Sequence, residues 1–336
     1  MIWLTWRQHR QQALAGAIGL GLLALVLFVT HVGMAGTFNS TGLASCLSNP
    51  GRDCGALAET FDQHYRGLQF LAALFLVIPL LVGLFWGAPF VARELEQGTY
   101  RLVWTQSVTR RRWFSTKFAA VAGAALLGAT AYAALVTWWT QMFVRIHASR
   151  FNPGFFDIRG MVPVAYILFA LALGVLIGTL VRRTLPAMGL TLAAFVGVRV
   201  LVNIFARPHY MAAKITSFPV VPKGGGILVG GPDLANGWIL NQVTVDRFGH
   251  LAYSGGGISF SPMLTSHCSG LIPPPPALPT PAQLSQCISH LGLRTVTTYQ
   301  PAGRFWAFQG IESTIYVALA AALFLTAGWF VRRRIA

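Results

Sequence analysis

Acidic side chains are scarce in this chain. Nine Asp and Glu stand against 25 Lys and Arg in 336 residues, and charged residues of both signs make up only 10%. Soluble domains carry about a quarter, so composition excludes an ordinary soluble protein. Signatures of chemistry are missing as well. No Gly-x-x-x-x-Gly-Lys-Ser/Thr loop, no His-Glu-x-x-His and no Gly-x-Ser-x-Gly occurs. The triplets Gly224-Gly225-Gly226 and Gly255-Gly256-Gly257 lack the lysine ending that a phosphate loop needs. His209, His250, His267 and His290 have no zinc-site spacing, and no apolar run holds the two carboxylates of an intramembrane protease. The chain is therefore expected to be no enzyme by itself, with no metal and no cofactor of its own.

Apolar sequence is what the chain has most of: 54% hydrophobic residues and a mean hydropathy of +0.59. It is concentrated in Ala13 to Thr30, Leu68 to Val91, Phe118 to Val144, Val162 to Val181, Leu185 to Phe205 and Ile311 to Val331. Each run has about the 18–25 residues that cross a 30 Å hydrocarbon core as a helix. The first also resembles a signal peptide, but its apolar part is long and no Ala-x-Ala site follows, which favours an uncleaved span. The net charge of +16 does not form a nucleic-acid-binding face, because the basic residues cluster at the ends of the apolar runs.

Six spans put both termini on one side. That side collects Arg7, Arg10, Arg93, Arg101, Arg110, Arg111, Arg112, Lys117, Arg182, Arg183, Arg332, Arg333 and Arg334, which is 13 of the 25 basic residues in short segments. The positive-inside rule makes it the cytoplasmic side. All four cysteines, Cys46, Cys54, Cys268 and Cys287, fall in the two loops assigned to the outside, where disulfides are expected. Proximity favours Cys46 with Cys54 and Cys268 with Cys287, although three pairings are open. The fold expected is an all-α integral membrane protein of six helices. A disulfide-stapled, loop-rich extracytoplasmic domain at 206–310 is expected between helices five and six. The other segments are an interfacial or basic N-terminal flank at 1–12, helices one to five at 13–205, and the last helix with its basic tail at 311–336.

Within the membrane part, Pro79 and Pro89 are placed to kink the second span. Small residues recur in the third span as Ala119, Gly123, Leu127 and Ala120, Ala124, Gly128, and the second series gives it a small face suited to close helix contact, within the chain or between two copies. Arg199 lies fourteen residues into the fifth run, about 21 Å along a helix. It either snorkels to the outer headgroups or faces inward, toward an anionic part of a substrate or toward Glu312 at the start of the sixth run.

The connector at 92–117 carries Arg93-Glu94-Leu95-Glu96-Gln97-Gly98-Thr99, a short amphipathic stretch to Trp104, and Ser107-Val108-Thr109-Arg110-Arg111-Arg112. Topology explains the arginines but not two acids. Glu94, Gly98, Thr99, Leu102, Val103, Ser107, Val108, Thr109, Arg110 and Lys117 resemble the loop between the second and third spans of bacterial ABC-2-type transporter permeases. That resemblance implies a coupling helix docked on an ATPase, with Glu94, Glu96, Gly98, Thr99, Arg101, Thr109 and Arg110 as coupling residues. It further implies two separate ABC ATPase subunits carrying ATP and Mg, a second permease (a homodimer favoured), and residence in the bacterial cell membrane. The large segment at 206–310 departs from sugar-polymer exporters and points to a drug, peptide or lipid-like substrate, with Arg199 and Glu312 on its path. The alternative is a non-transporting membrane sensor or immunity protein that captures an antibiotic or peptide outside.

Overall fold

The computed structural model describes residues 2–333 apart from 50–51, 53, 99–109, 148–149, 152, 224–225, 229–233, 235–236 and 255–279. The chain divides into two compact units. One comprises Met1–Ala148, Asn152–Arg207 and Trp306–Ala336, the other Ser149–Phe151 and Pro208–Phe305.

Among the described residues, six helices are long and apolar enough to cross a membrane: Ala13–Ser40, Ile78–Glu96, Phe118–Trp139, Val162–Val181, Thr184–His209 and Ala302–Val331. They correspond to the six expected runs with shifted ends. The first lies in one unbroken helix, Ile2–Ser40, so the opening segment continues the span. The second was expected from Leu68. Instead Leu68 lies inside a helix over Gly55–Phe75, and the span restarts at Ile78, with Pro79 in its first turn. The Phe75 carbonyl freed by that break accepts a hydrogen bond from the Tyr132 hydroxyl at 2.9 Å.

Two spans that meet a proline beyond their first turn solve its steric problem alike. Proline lacks an N–H and crowds the carbonyl four residues back. Ahead of Pro89 the second span widens into a π-turn at Gly83–Gly87, with the Ala88 amide bonded to the Gly83 carbonyl at 2.9 Å. Ahead of Pro208 the fifth helix does the same at Val202–Ala206, where the Arg207 amide reaches the Val202 carbonyl.

The second and fourth spans touch backbone to backbone. A Cβ on Gly83 or Gly87 would come within 2.8 Å of the Ala170 or Leu171 carbonyl, and one on Gly174 within 2.5 Å of the Gly83 carbonyl. A Cβ on Gly178 would strike the Ala88 carbonyl. Within the chain, close helix contact through small residues is made here, whereas Gly123 and Gly128 of the third span have open space around them.

At one end of this unit, Leu27, Met34, Phe75, Trp139 and Phe143 form a buried cluster, and the Trp139 indole N–H donates to Thr30 Oγ1 at 2.9 Å. At the other, Phe90, Val91, Val175, Ala327 and Val331 pack together. Side chains left exposed on the first span, such as Leu14, Ile18, Leu22 and Leu25, are those that hydrocarbon solvates.

The segment between the fifth and sixth spans corrects the all-α, loop-rich expectation. It holds a four-stranded antiparallel sheet built from β1 (Lys214–Pro219), β4 (Trp238–Val245), β5 (Leu251–Ser254) and β6 (Arg294–Gln300), in the order β1-β6-β4-β5. A small hairpin joins β2 (Val221–Lys223) to β3 (Gly226–Leu228). β6 reads Arg-Thr-Val-Thr-Thr-Tyr-Gln, β-branched and aromatic as strands prefer. It buries Thr295, Thr297 and Tyr299 on alternate positions. A helix over Pro281–Leu291 opens on a Thr280–Gln283 capping box and stops at Gly292. Cys287 on that helix is buried and disulfide-bonded, while Cys268 lies outside the described residues. Cys46 and Cys54 are bonded to each other, as proximity suggested.

Candidate functional site

A sharp elbow leads from the short helix Pro153–Ile158 into the fourth span. Gly160 takes φ 69°, open to glycine at little cost, and an added Cβ would meet Gln309 Oε1 at 2.7 Å. Gln309, buried on the sixth helix, holds both sides of the elbow. Its Oε1 accepts from the Met161 and Val162 amides at 3.1 Å, and its Nε2 donates to the Phe156 carbonyl at 3.0 Å. The backbone groups orphaned at two helix ends are met by one amide side chain. Asp157 is thereby aimed at the fifth and sixth helices.

Two arginines of the fifth helix meet it. Arg199 and Arg207 are eight residues apart, which on an undisturbed α-helix would separate them by about 80° around the axis. The π-turn between them absorbs one residue and leaves about 20°, so both point the same way. Arg199 Nη2 bonds Asp157 Oδ2 at 2.7 Å. Arg207 Nη2 bonds Asp157 Oδ1 at 2.5 Å and Glu312 Oε1 at 2.6 Å, and its Nε bonds Glu312 Oε2 at 2.8 Å. The Tyr166 hydroxyl donates to Glu312 and lies 3.2 Å from Asp157 Oδ1. Its ring carries the Arg199 guanidinium at 3.7 Å, and the Phe156 ring carries that of Arg207 at 4.6 Å. Two carboxylates and two guanidiniums make a charge-balanced network, the condition under which charges persist in a low-dielectric interior.

At the opposite end of the fifth helix lies a second polar contact. Glu96 Oε2, at the end of the second span, accepts from the Thr184 amide at 3.0 Å and from its hydroxyl at 2.7 Å. It supplies the cap that Arg183, at the N-cap position, does not. Phe85, Pro89, Arg93, Gln97 and these two residues line an open groove. The helix before it closes at Gly98, φ 68°.

A family model described as ABC-2 membrane transporter related matches residues 17–207, more than half of the chain. The chain belongs to that family. Comparison with curated proteins and with solved structures finds no match. With its six apolar helices, this ABC-2 family member is a multi-pass membrane protein of the permease type. Such permeases usually partner with ABC ATPase subunits. The matched stretch contains both ends of the connector and the residues Asp157, Tyr166, Arg199 and Arg207, whereas Glu312 lies beyond it.

Of the expected coupling residues, Glu96 is exposed and engaged with Thr184, Glu94 is half-buried, and Gly98 ends the helix. Arg110 begins the helix Arg110–Trp139, and Thr99, Arg101 and Thr109 lie outside the described residues. Arg199 faces inward and does not snorkel. Its partner is Asp157 rather than Glu312, because the shifted helix register presents Arg207 to Glu312. Asp157, Tyr166, Arg207 and Gln309 were not anticipated. Asp157 and Arg207 stand at the edges of apolar runs, where a charge reads as a topology signal, and Tyr166 lies in a run as apolar as any lipid-facing one. A glutamine and a glutamate three positions apart, Gln309 and Glu312, were the available sign that one face of the sixth helix is polar.

Proposed function

We propose that this chain is the transmembrane subunit of an ATP-driven ABC exporter of a drug, peptide or lipid-like substrate. It pairs with a second permease, most simply an identical copy, and with two separate ATPase subunits that hold ATP and Mg. Both termini and the connector face the cytoplasm, and the bacterial cell membrane is the site of action. Family membership and the absence of an ATPase motif from the sequence support this reading.

The observation that carries it is the Glu96–Thr184 clamp. The connector begins where the second span ends, and the clamp joins that point to the start of the fifth helix. The same helix ends in Arg199 and Arg207, bound to elements before the fourth span and within the sixth. A push on the connector therefore reaches the ion-pair network through one helix, the route an ATPase beneath the membrane requires.

The test is purification of the tagged chain from its host in mild detergent, with mass spectrometry of what stays bound. A stoichiometric soluble subunit with a Walker motif is the expected result. A chain that emerges alone, or with a kinase or protease, moves the reading to a non-transporting sensor.

A further inference from the structure

Tyr166 is surrounded by donors with nothing to donate to. The Arg199 guanidinium lies on its ring, Arg207 Nη2, already given to the two carboxylates, stands 3.1 Å from its hydroxyl, and the Tyr316 ring packs edge-on at 4.7 Å. Nη1 of Arg199, Nη1 of Arg207 and the hydroxyl of Tyr316 are all buried, and none has a hydrogen-bond partner among the described residues. A guanidinium offers five N–H donors and accepts nothing. The four carboxylate oxygens of Asp157 and Glu312 are already used by Arg199, Arg207 and Tyr166. No acceptor of the network reaches those three donors, and leaving buried donors unmade is unfavourable.

Asp157 sits between the arginines as a bound anion would, with Oδ2 on Arg199 and Oδ1 on Arg207. It belongs to a helix of only six residues that ends just before the Gly160 turn, so it is carried on the smallest element of the network. Arg199 is the reachable member, 18% exposed against 3% for Arg207 and 1% for Glu312. Tyr166, Phe156, Phe169 and Tyr316 wall the site with aromatic rings.

Building on the exporter reading, we infer that Arg199 and Arg207 form a docking site for an anionic group, carboxylate or phosphate, of the transported molecule. Asp157 fills that site in the conformation described here. The incoming anion displaces it one for one, which keeps the charge balanced, and uses the two idle Nη1 groups. The planar forks of paired arginines suit such groups, and the aromatic walls suit an attached apolar body.

The test uses the full chain in a neutral maltoside detergent, titrated with dodecyl phosphate, inorganic phosphate and dodecyltrimethylammonium. Saturable binding of dodecyl phosphate is expected. It weakens at least tenfold in Arg199→Gln and tightens at least tenfold in Asp157→Asn, where the internal competitor has lost its charge. A purely structural network predicts no tightening. Competition by inorganic phosphate at similar concentration would identify a free anion as the ligand, and its failure to compete would identify the head of an amphiphile; either supports an anion site. Equal affinity in the wild type and both variants, or equal binding of the cationic amphiphile, overturns it. Binding is read on the permease alone. A chain that binds dodecyl phosphate but brings down no ATPase keeps this site and loses the ATP-driven reading, and the reverse result does the opposite.

Discussion

Arg207 grips Glu312 through two nitrogens, Nε at 2.8 Å and Nη2 at 2.6 Å, across 105 positions of sequence. Removing one partner of such a pair strands a buried charge and costs about 3–5 kcal/mol. Glu312→Ala should therefore lower the thermal unfolding temperature in detergent markedly. The double variant Arg207→Met, Glu312→Leu leaves Asp157 with Arg199 as a balanced pair and should recover most of that loss. If the double variant is as unstable as the single, the network is not held by charge pairing.

Gly174 has no room for a methyl group. Gly174→Ala should reduce folded yield and stability, with overpacking costing about 1–3 kcal/mol, because both of its nearest contacts are backbone atoms of the second span. Gly123→Ala, on the open face of the third span, should be neutral or stabilising by up to about 1 kcal/mol through helix propensity. Thermal unfolding of the two variants side by side distinguishes close contact from a general intolerance of substitution.

Glu96→Gln keeps the shape of the cap and removes its charge, whereas Glu96→Ala removes both. Amide exchange at Thr184 should rise in the order wild type, Gln, Ala. Reversal of both Glu94 and Glu96 to lysine should uncouple ATP hydrolysis by the assembled complex from transport, with the spans still folded. Unchanged coupling in that variant would remove the connector from the drive mechanism.

Asp246 offers a pH probe outside the membrane spans. Desolvation alone would raise its pKa, but amide hydrogen bonds from His250 and Phe248 at 2.8 Å, with the His250 ring beside it, hold it below the usual carboxylate value. A depressed pKa contributes stability above the unfolded value of 3.8 that is lost as pH falls through the folded one. Amide protection at Phe248 and His250 should therefore persist through pH 4 and disappear below it, and Asp246→Asn should remove that dependence.

Six spans and the disulfide between Cys46 and Cys54 were legible because length, hydropathy and proximity are local properties. Arg199 was visible as a charge in an apolar run. Its partner was not, since Asp157 sits on the short helix Pro153–Ile158, whose placement depends on Gln309, about 150 residues further on. Nor does any local pattern announce the π-turn that swings Arg207 beside Arg199; Pro208 hints at a distortion without giving its size. The glycine spacing of the second and fourth spans is as plain as that of the third, but spacing cannot say which faces meet. β6 was missed because a stretch rich in threonine between glycines reads as a loop until β1 and β4 flank it.

The balance of two carboxylates against two guanidiniums also bears on the membrane voltage. One elementary charge carried through 100 mV involves about 2.3 kcal/mol of electrical work. A group of zero net charge that shifts as a body involves almost none. Held together as in the structure, Arg199, Arg207, Asp157 and Glu312 carry no net charge for the potential across the bilayer to act on; only an arriving ligand with a net charge of its own would couple them to it.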